Sequence, residues 1–304
     1  MGVVRHSESA GIRHGGAHTL WIWALLCGVI ATLPARAGMH EGERLAWTGA
    51  ITQVEGSAGG GLSPWALIAG LGTSDQIGGS AHLSYVSTSD FELRSAGLAA
   101  GIHDRIEVSF TRQRFDAGSV IPGLTLGQDV LGLKLRLAGD AVFAPDHWWP
   151  QLAIGAQYKR TLDFDVIPKA VGANHGQDVE LYLAATKLYF AAIAGRNAIV
   201  NVTLRRTRAN QFGLLGFGGD QRGSFSLAPE VSAALWVRDN WLAGGEYRYK
   251  PSDLGAFRED RALDAFVAWN PLKPLTVTLA YVDLGRIAGK PDQRGYYLSL
   301  WLGM

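Results

Sequence analysis

The chain has 304 residues, with 28 Lys and Arg against 27 Asp and Glu, and a formal net charge of +1. This balance gives no sign of a nucleic-acid partner. The only cysteine is Cys27, so the rest of the chain excludes disulfide bonds, cysteine nucleophiles and cysteine-ligated zinc.

Residues 1–37 have the pattern of a secretory signal peptide. Basic residues precede an uncharged apolar stretch, Leu20 to Leu33, and Ala35-Arg36-Ala37 forms a cleavage site. The alternative is a membrane anchor, but about 14 apolar residues are too few to cross a hydrocarbon core comfortably. We therefore expect cleavage, which removes Cys27 and leaves residues 38–304 as one domain.

From Ile77 onward, apolar and polar residues alternate in segments of about ten residues separated by turns, as in transmembrane β-strands. The clearest segment is LGLKLRLA, residues 131–138, where four leucines share one face and Gly132, Lys134 and Arg136 share the other. No helices are predicted to cover these apolar faces. The pattern therefore indicates an all-β protein, an antiparallel transmembrane barrel with lipid outside and polar groups inside.

The predicted strands of the barrel follow one another to the end of the chain. They are 77–87, 91–102, 105–115, 128–138, 151–160, 178–189, 198–208, 224–237, 241–250, 261–270, 274–284 and 294–303. Two further segments, 48–56 and 64–71, are less certain. An even total of 12 or 14 strands follows.

The connections between these strands alternate in length. Short ones at 103–104, 239–240 and 271–273 are separated by longer ones at 116–127, 209–223, 251–260 and 285–293. This is typical of barrels with short periplasmic turns and long outer loops. The short outer turn at 88–90 and the long inner connection at 139–150 fit less well. With an even strand number, both termini are expected in the periplasm.

Alternation places charged residues of both signs on the interior face. The residues predicted to line the lumen are Lys134, Arg136, Arg205, Arg248 and Lys250. Mixed signs are compatible with a hydrated pore and with a lumen closed by paired charges. A width of 12 to 14 strands does not decide between them.

One predicted outer loop is unusually apolar. QFGLLGFGG, residues 211–219, contains Phe212, Leu214, Leu215 and Phe217, and these side chains need burial. Either the loop folds into the barrel mouth, where it constricts the mouth or contacts an apolar ligand, or it continues a strand or packs on neighbouring loops. The second interpretation is the simpler one.

Few residues suggest a catalytic or metal-binding site. His82 and Ser84 share a strand face, a spacing similar to that of the outer-membrane phospholipases. Tyr85-Val86 follows the serine where that family has Asn-Gly, and no orienting partner is evident, so a polar lumen pair is the better interpretation. His103-Asp104 and Asp146-His147 are candidates for a metal site, but adjacent side chains point apart on an extended chain and do not converge on one ion. We predict no catalytic residue, metal site or cofactor.

Five segments carry a resemblance to a known family. They are DRIEVSFTRQRFDAG (104–118), QDVLGLKLRLAGDA (128–141), PQLAIGAQYKR (150–160), ANQFGLLGFGG (209–219) and AYVDLGRIAGKPDQRGYYLSL (280–300). From about Gly49 onward the chain resembles an uncharacterised family of Gram-negative bacteria, domain of unknown function 3034. The resemblance implies an outer-membrane barrel and brings no activity or catalytic residues.

The last strand is similar to the C-terminal strand of outer-membrane proteins, which the barrel-assembly machinery reads, although Met304 stands where an aromatic residue is usual. We therefore expect this machinery and outer-membrane lipids as partners. The expected function is passive diffusion of small solutes, with no solute indicated. The alternatives are a non-conducting structural or binding barrel and a lipid-modifying enzyme using His82 and Ser84. A soluble periplasmic β-sandwich is also open, since alternation alone does not distinguish lipid from a second sheet.

Overall fold

The computed structural model describes residues 51–142 and 148–304. The predicted signal peptide and the start of the mature chain lie outside these ranges and stay predictions. No helix within them has the length and apolar character needed to cross a membrane.

The described residues form fourteen strands. In chain order these are β1 (Ile77–Thr88), β2 (Glu92–Ile102), β3 (Ile106–Asp116), β4 (Thr125–Ala138), β5 (Gln151–Thr161), β6 (Ala173–His175), β7 (Gln177–Ile193), β8 (Arg196–Thr207), β9 (Phe217–Gly219), β10 (Ser226–Arg238), β11 (Trp241–Arg248), β12 (Ala262–Leu272), β13 (Leu275–Asp283) and β14 (Arg294–Gly303). All except β6 and β9 join into one closed barrel. β1 pairs antiparallel with both β2 and β14, so the sheet has no free edge. The predicted antiparallel barrel is confirmed, with 12 strands in its wall.

The alternation of side chains sets the two faces of this wall. β3 pairs with β2 on one side and β4 on the other. In β3, Val108 and Phe110 are 41% and 45% exposed, whereas Glu107 is 1% exposed. In β4, Leu133 is 54% exposed and Lys134 is 1% exposed. A soluble β-sandwich would bury the leucines and expose the lysine, so that alternative is wrong. The apolar outer face needs hydrocarbon as its partner.

The two ends of the barrel differ in their connections. One end, here called the turn end, carries the beginning of β1, the end of β14, tight turns at 103–105, 194–195, 239–240 and 273–274, and the longer connection at 139–150. The opposite end, here called the loop end, carries the connections 89–91, 117–124, 162–176, 208–225, 249–261 and 284–293. Since short turns face the periplasm in such barrels, the loop end faces outward from the cell.

Aromatic side chains mark both ends of the outer wall. Trp241 and Trp269 stack at the turn end with ring centroids 5.7 Å apart. Tyr281 and Tyr296, which are 57% and 65% exposed, lie opposite each other near the loop end. Amphipathic rings at two heights are typical of the two membrane–water interfaces.

The two less certain strands, 48–56 and 64–71, are not part of the barrel, and their prediction as wall strands is wrong. Residues 51–71, here called the plug, lie inside the barrel, and every one of them is buried. Residues 48–50 lie outside the described ranges. The physical reason is that a segment enclosed by the wall has no lipid-facing side, so the alternation of a wall strand does not apply to it.

Candidate functional site

The plug is a compact segment held together by its own backbone. Isolated bridges join Thr52 to Ala58 and Gly59 to Pro64. Gly56 has φ of +98°, a left-handed conformation that favours glycine. A side chain at Gly59 would overlap the Ser63 carbonyl oxygen. Tight turns therefore let 21 residues, 51–71, fit within the lumen.

Glu55 of the plug lies at the centre of a buried charge cluster. Its carboxylate is 2.6 Å from the Lys159 Nζ and 3.1 Å from both terminal nitrogens of Arg248. Arg205 lies 3.9 Å away. Burial raises the pKa of Glu55, but the neighbouring Arg248, Lys159 and Arg205 outweigh it and hold that pKa well below its usual range. Glu55 is therefore a carboxylate inside the barrel.

Two carboxylates of the wall complete this cluster. Glu180 is 2.7 Å from Lys159 and 3.0 Å from Arg205, and Glu230 is 2.5 Å from Arg205. Three cations thus face three carboxylates, with all six side chains at most 3% exposed. The wall alone supplies three cations and two carboxylates, so the plug carboxylate makes the cluster neutral.

A second buried pair, Glu107 with Lys134, also binds the plug. The two side chains are 3.1 Å apart. Glu107 accepts hydrogen bonds from the Ser57 hydroxyl and from the backbone N–H groups of Ala58 and Ala69, at 2.7, 3.2 and 2.9 Å. Lys134 donates to the carbonyl oxygens of Ala58 and Leu67, at 2.9 and 2.8 Å. One ion pair therefore holds two separate stretches of plug backbone.

Neutral side chains of the wall hold the rest of the plug backbone. Near the turn end, Gln151 donates to the Ala66 carbonyl at 2.6 Å, and Thr186 accepts from the Ala66 N–H at 2.7 Å. Near the loop end, Ser95 and Gln113 both donate to the Val54 carbonyl, at 2.7 and 2.8 Å. The lumen is therefore filled through its height by a segment whose buried backbone groups bond to the wall.

The five residues predicted to line the lumen occupy different places. Lys134, Arg205 and Arg248 are buried against the plug or its cluster. Lys250, at the loop end, donates to the carbonyl oxygens of Leu284 and Arg286. Arg136 lies at the turn end, where it pairs with Asp104 and Asp140. Whether they line a path for a solute stays a prediction. The sequence interpretation missed Glu55, whose only signal is a lone carboxylate in a Gly- and Ser-rich segment.

The apolar loop segment lies in the barrel mouth. A tight turn, Asn210–Gly213, in which Gln211 and Phe212 have left-handed φ values of +45° and +60°, brings the ring of Phe212 to 4.2 Å from the Arg248 guanidinium, measured to the ring centroid. The Phe212 carbonyl accepts from Lys159 Nζ at 3.2 Å. Leu214, Leu215 and Phe217 are at most 5% exposed. The segment thus covers the charge cluster on its loop-end side and does not continue β8.

An apolar cavity of about 60 Å³ lies between the plug and this mouth segment. Val54 and Leu62 of the plug form its floor, and Phe212 and Leu215 lie on its loop side. The polar residues of the lining are Thr88, Glu92, Gln211, Asp264 and Tyr297. The side walls are otherwise apolar residues of β1, β2, β3, β13 and the loop end. They include Val86, Leu93, Phe115, Val282, Leu284 and Ile287. Such a lining suits an apolar ligand better than a hydroxylated one.

His82 and Ser84 face the lumen without forming a nucleophile and its base. The Nε2 atom of His82 is 3.4 Å from the hydroxyl of Ser95, and the Ser84 hydroxyl is 2.9 Å from that of Ser299. Both side chains are buried away from lipid. Among the residues that the structure describes, no group of three or more His, Cys, Asp or Glu is placed to hold a metal ion.

A closed wall with an apolar exterior, two aromatic bands and a polar interior defines a bacterial outer-membrane β-barrel. Within that class, the chain belongs to the family described as protein of unknown function (DUF3034), whose model matches residues 48–301. No curated protein matches the chain. The resemblance seen in the sequence is thereby confirmed.

The chain is similar to three solved outer-membrane proteins at low sequence identity. The NanC porin has a TM-score of 0.44 at 10% identity, covering 73% of this chain and 97% of that one. Omp33 of Acinetobacter baumannii has a TM-score of 0.42 at 11% identity, covering 75% and 98%. An outer-membrane channel from Pseudomonas putida F1 has a TM-score of 0.40 at 11% identity, covering 75% and 94%.

Proposed function

We propose that this barrel is a channel for passive movement of small solutes, and that the plug closes it in the conformation described here. The observation that carries the proposal is the way the plug is held. It adds no strand to the barrel sheet, and apart from a backbone bond from the Leu71 N–H to the Met304 carbonyl, side chains of the wall make most of its bonds to the barrel. Removing it therefore leaves the backbone ladder of the wall intact.

Ile51, Val54, Trp65 and Leu67 of the plug pack against apolar side chains inside the wall, but the rest of the interface is polar, and this polar part favours a removable plug. Water can take over hydrogen bonds to Glu107, Lys134 or Gln151, whereas an apolar interface would lose its contacts without replacement. At a net value of about 1 kcal/mol for each bond, several bonds sum to several kcal/mol. Because about 1.4 kcal/mol is a tenfold change in population, spontaneous openings are expected to be rare.

A first experiment records refolded protein in planar bilayers. The wild-type chain should show brief, rare openings, and a variant lacking residues 51–71 should show steady conductance. As a control for folding, each protein is tested for resistance to unfolding by detergent before the sample is boiled. A folded deletion variant that conducts nothing would reject the channel and leave a structural or binding barrel.

A second experiment separates natural openings from a hole created by deletion. Ala69 of the plug and Ala99 of β2 pack in one cluster with Ala58, and we choose positions 69 and 99 for a disulfide between plug and wall. Cys27 is the only native cysteine, and it lies in the predicted signal peptide. The oxidised double variant should lose the openings and regain them on reduction. An Ala69→Cys single variant under the same oxidation is the control. Openings that persist in the oxidised double variant would contradict gating by the plug.

The apolar cavity favours a second candidate function, binding of a small apolar molecule at the loop end. A ligand there would contact Val54 of the plug and Phe212 of the mouth segment at once. Filling the space with Val282→Trp should abolish binding of a small probe such as cyclohexane, followed by methyl NMR shifts of the cavity-lining residues. Unchanged shifts in wild-type protein at saturating probe would remove this candidate.

A further inference from the structure

Four arginines cluster on the outer face of the wall near the loop end. Arg94 lies on β2, Arg112 and Arg114 on β3, and Arg160 on β5. All four are exposed, with 57%, 63% and 54% of the side chain accessible for Arg94, Arg112 and Arg160. They therefore form one basic surface that extends from β2 across β3 and β4 to β5, here called the arginine surface.

The register brings like charges together on this surface. Arg94 of β2 is directly opposite Arg114 of β3. Like charges in opposite positions of an antiparallel pair are destabilising. Both side chains leave the wall and neither packs in the interior; Arg94 contacts the exposed side of the wall, with its guanidinium 6.0 Å from the Tyr85 ring centroid. Two guanidinium groups held side by side are suited to bind an anion between them.

The carboxylates nearby do not neutralise the surface. Asp129 is bound through both oxygens by Arg112, at 2.7 and 2.9 Å, and lies 3.9 Å from Arg160. Glu92 is 3.4 Å from Arg94. Within the part of the chain that the structure describes, no carboxylate lies within 4.0 Å of Arg114. Four cations thus face two carboxylates.

The height of the arginine surface matches a lipid headgroup layer. Asp129 and Arg112 are each two residues nearer the loop end than lipid-facing Leu131 and Phe110, which are 51% and 45% exposed. Tyr85 is directly opposite Arg94, at the level of the loop-end aromatic band. Aromatic bands mark the interface where headgroups lie.

We infer that the arginine surface binds the phosphate groups of an anionic glycolipid of the outer leaflet, with Arg94, Arg114 and Arg160 as phosphate ligands. Guanidinium groups bind phosphate through paired N–H donors, and anionic headgroups attract basic residues at the membrane surface. The inference depends on the barrel and its orientation, and it is independent of conduction.

The test titrates the purified barrel in neutral detergent with bis-phosphorylated lipid A and follows complexes by native mass spectrometry. The variant Arg94→Gln/Arg114→Gln should bind about 30-fold more weakly, since each basic residue near an anionic surface contributes about 1 kcal/mol and 1.4 kcal/mol is tenfold. Lipid A stripped of both phosphates should bind wild-type protein as weakly as the phosphorylated lipid binds the variant.

The matched control is Arg206→Gln/Arg294→Gln, which removes two outward arginines near the same end. Arg206 stacks on Phe225, a ring that Arg208 also contacts, and Arg294 pairs with Asp283 at 3.1 Å. In the strand register neither lies directly opposite another arginine. The control should bind within about threefold of wild type, as expected for charge acting only at a distance. Equal losses in both variants, unchanged binding by Arg94→Gln/Arg114→Gln, or equal binding of phosphatidylglycerol would overturn the inference.

Stability in detergent provides an independent readout. Without lipid, Arg94→Gln/Arg114→Gln should unfold at the same temperature as wild type or higher, because the substitution removes a repulsive pair. A lower unfolding temperature would show that the two arginines stabilise the wall directly, and this would overturn their assignment to a lipid phosphate.

Discussion

Neutralising Glu55 is the sharpest test of the plug as a gate. In Glu55→Gln, the carboxylate that faces Lys159 and Arg248 at 2.6 and 3.1 Å becomes a neutral amide of similar size. Lys159, Arg205 and Arg248 then face only two carboxylates, all at most 3% exposed. One buried positive charge is left without compensation while the plug is in place.

The size of the effect follows from that burial. Removing one partner of a buried ion pair costs about 3–5 kcal/mol, because the remaining charge is desolvated without compensation. When the plug leaves, water hydrates the cations, so this cost falls on the closed state. At 1.4 kcal/mol per tenfold, the open population should rise by about two to three and a half orders of magnitude.

The assay is single-channel open probability in planar bilayers. Asp75→Asn, which removes an exposed carboxylate before β1, is the control and should behave as wild type. The double variant Glu55→Gln/Lys159→Met restores charge balance and should return toward the closed state. A Glu55→Gln channel with the open probability of wild type, beside a conducting plug deletion, would refute the argument that charge balance holds the plug.

Three further predictions concern sterics, pH and lipid. Gly101→Ala should raise the open probability without changing any charge, because its Cβ would overlap a plug carbonyl oxygen. Gly79→Ala makes only ordinary contacts and should not raise the open probability. Equal open probabilities of the two variants would contradict this reasoning. Burial raises the pKa of Glu259 to about 7, so its stabilising contribution is complete below its ordinary value of 4.5 and is lost as the pH rises through about 7. The backbone N–H of Gln211 donates to Glu259 at 2.7 Å. Between pH 5 and 8, the rate of hydrogen exchange at this N–H should therefore rise by more than the intrinsic exchange rate does. Glu259→Gln should abolish this additional rise. Leu133→Arg should destabilise the barrel in bilayers by about 2–4 kcal/mol in denaturant titrations, and a change below about 1 kcal/mol would place Leu133 outside the hydrocarbon.

The wall was predictable because its signal is local. The alternation in LGLKLRLA fixes which residues face lipid whatever the neighbouring strands are. Strand ends were less accurate: residues 178–189 were predicted where β7 spans Gln177–Ile193. Of the extra residues at the turn end, Ile193 pairs with Arg196 of β8 after a shift of register, and a partner strand is not visible in the local pattern.

The plug was not predictable because its partners are distant in the chain. Glu55 binds Lys159 and Arg248, which are 104 and 193 positions away. A short segment with two apolar stretches, 48–56 and 64–71, resembles two more strands until its enclosure is known. The position of residues 211–219 was ambiguous for a similar reason. Phe212 and Leu215 need burial whether the loop folds into the barrel mouth or packs on neighbouring loops.

The connection between the plug and β1 determines the direction in which the lumen can empty. Leu71 packs on Trp301 at the turn end, and only residues 72–76 separate it from β1. Five residues reach at most about 18 Å, so the plug stays anchored on the periplasmic side. Withdrawal into the periplasm leaves β1 in place, whereas exit through the loop end would pull the anchored residues across the whole wall. On the proposed gating by the plug, a factor that opens this barrel acts from the periplasmic side.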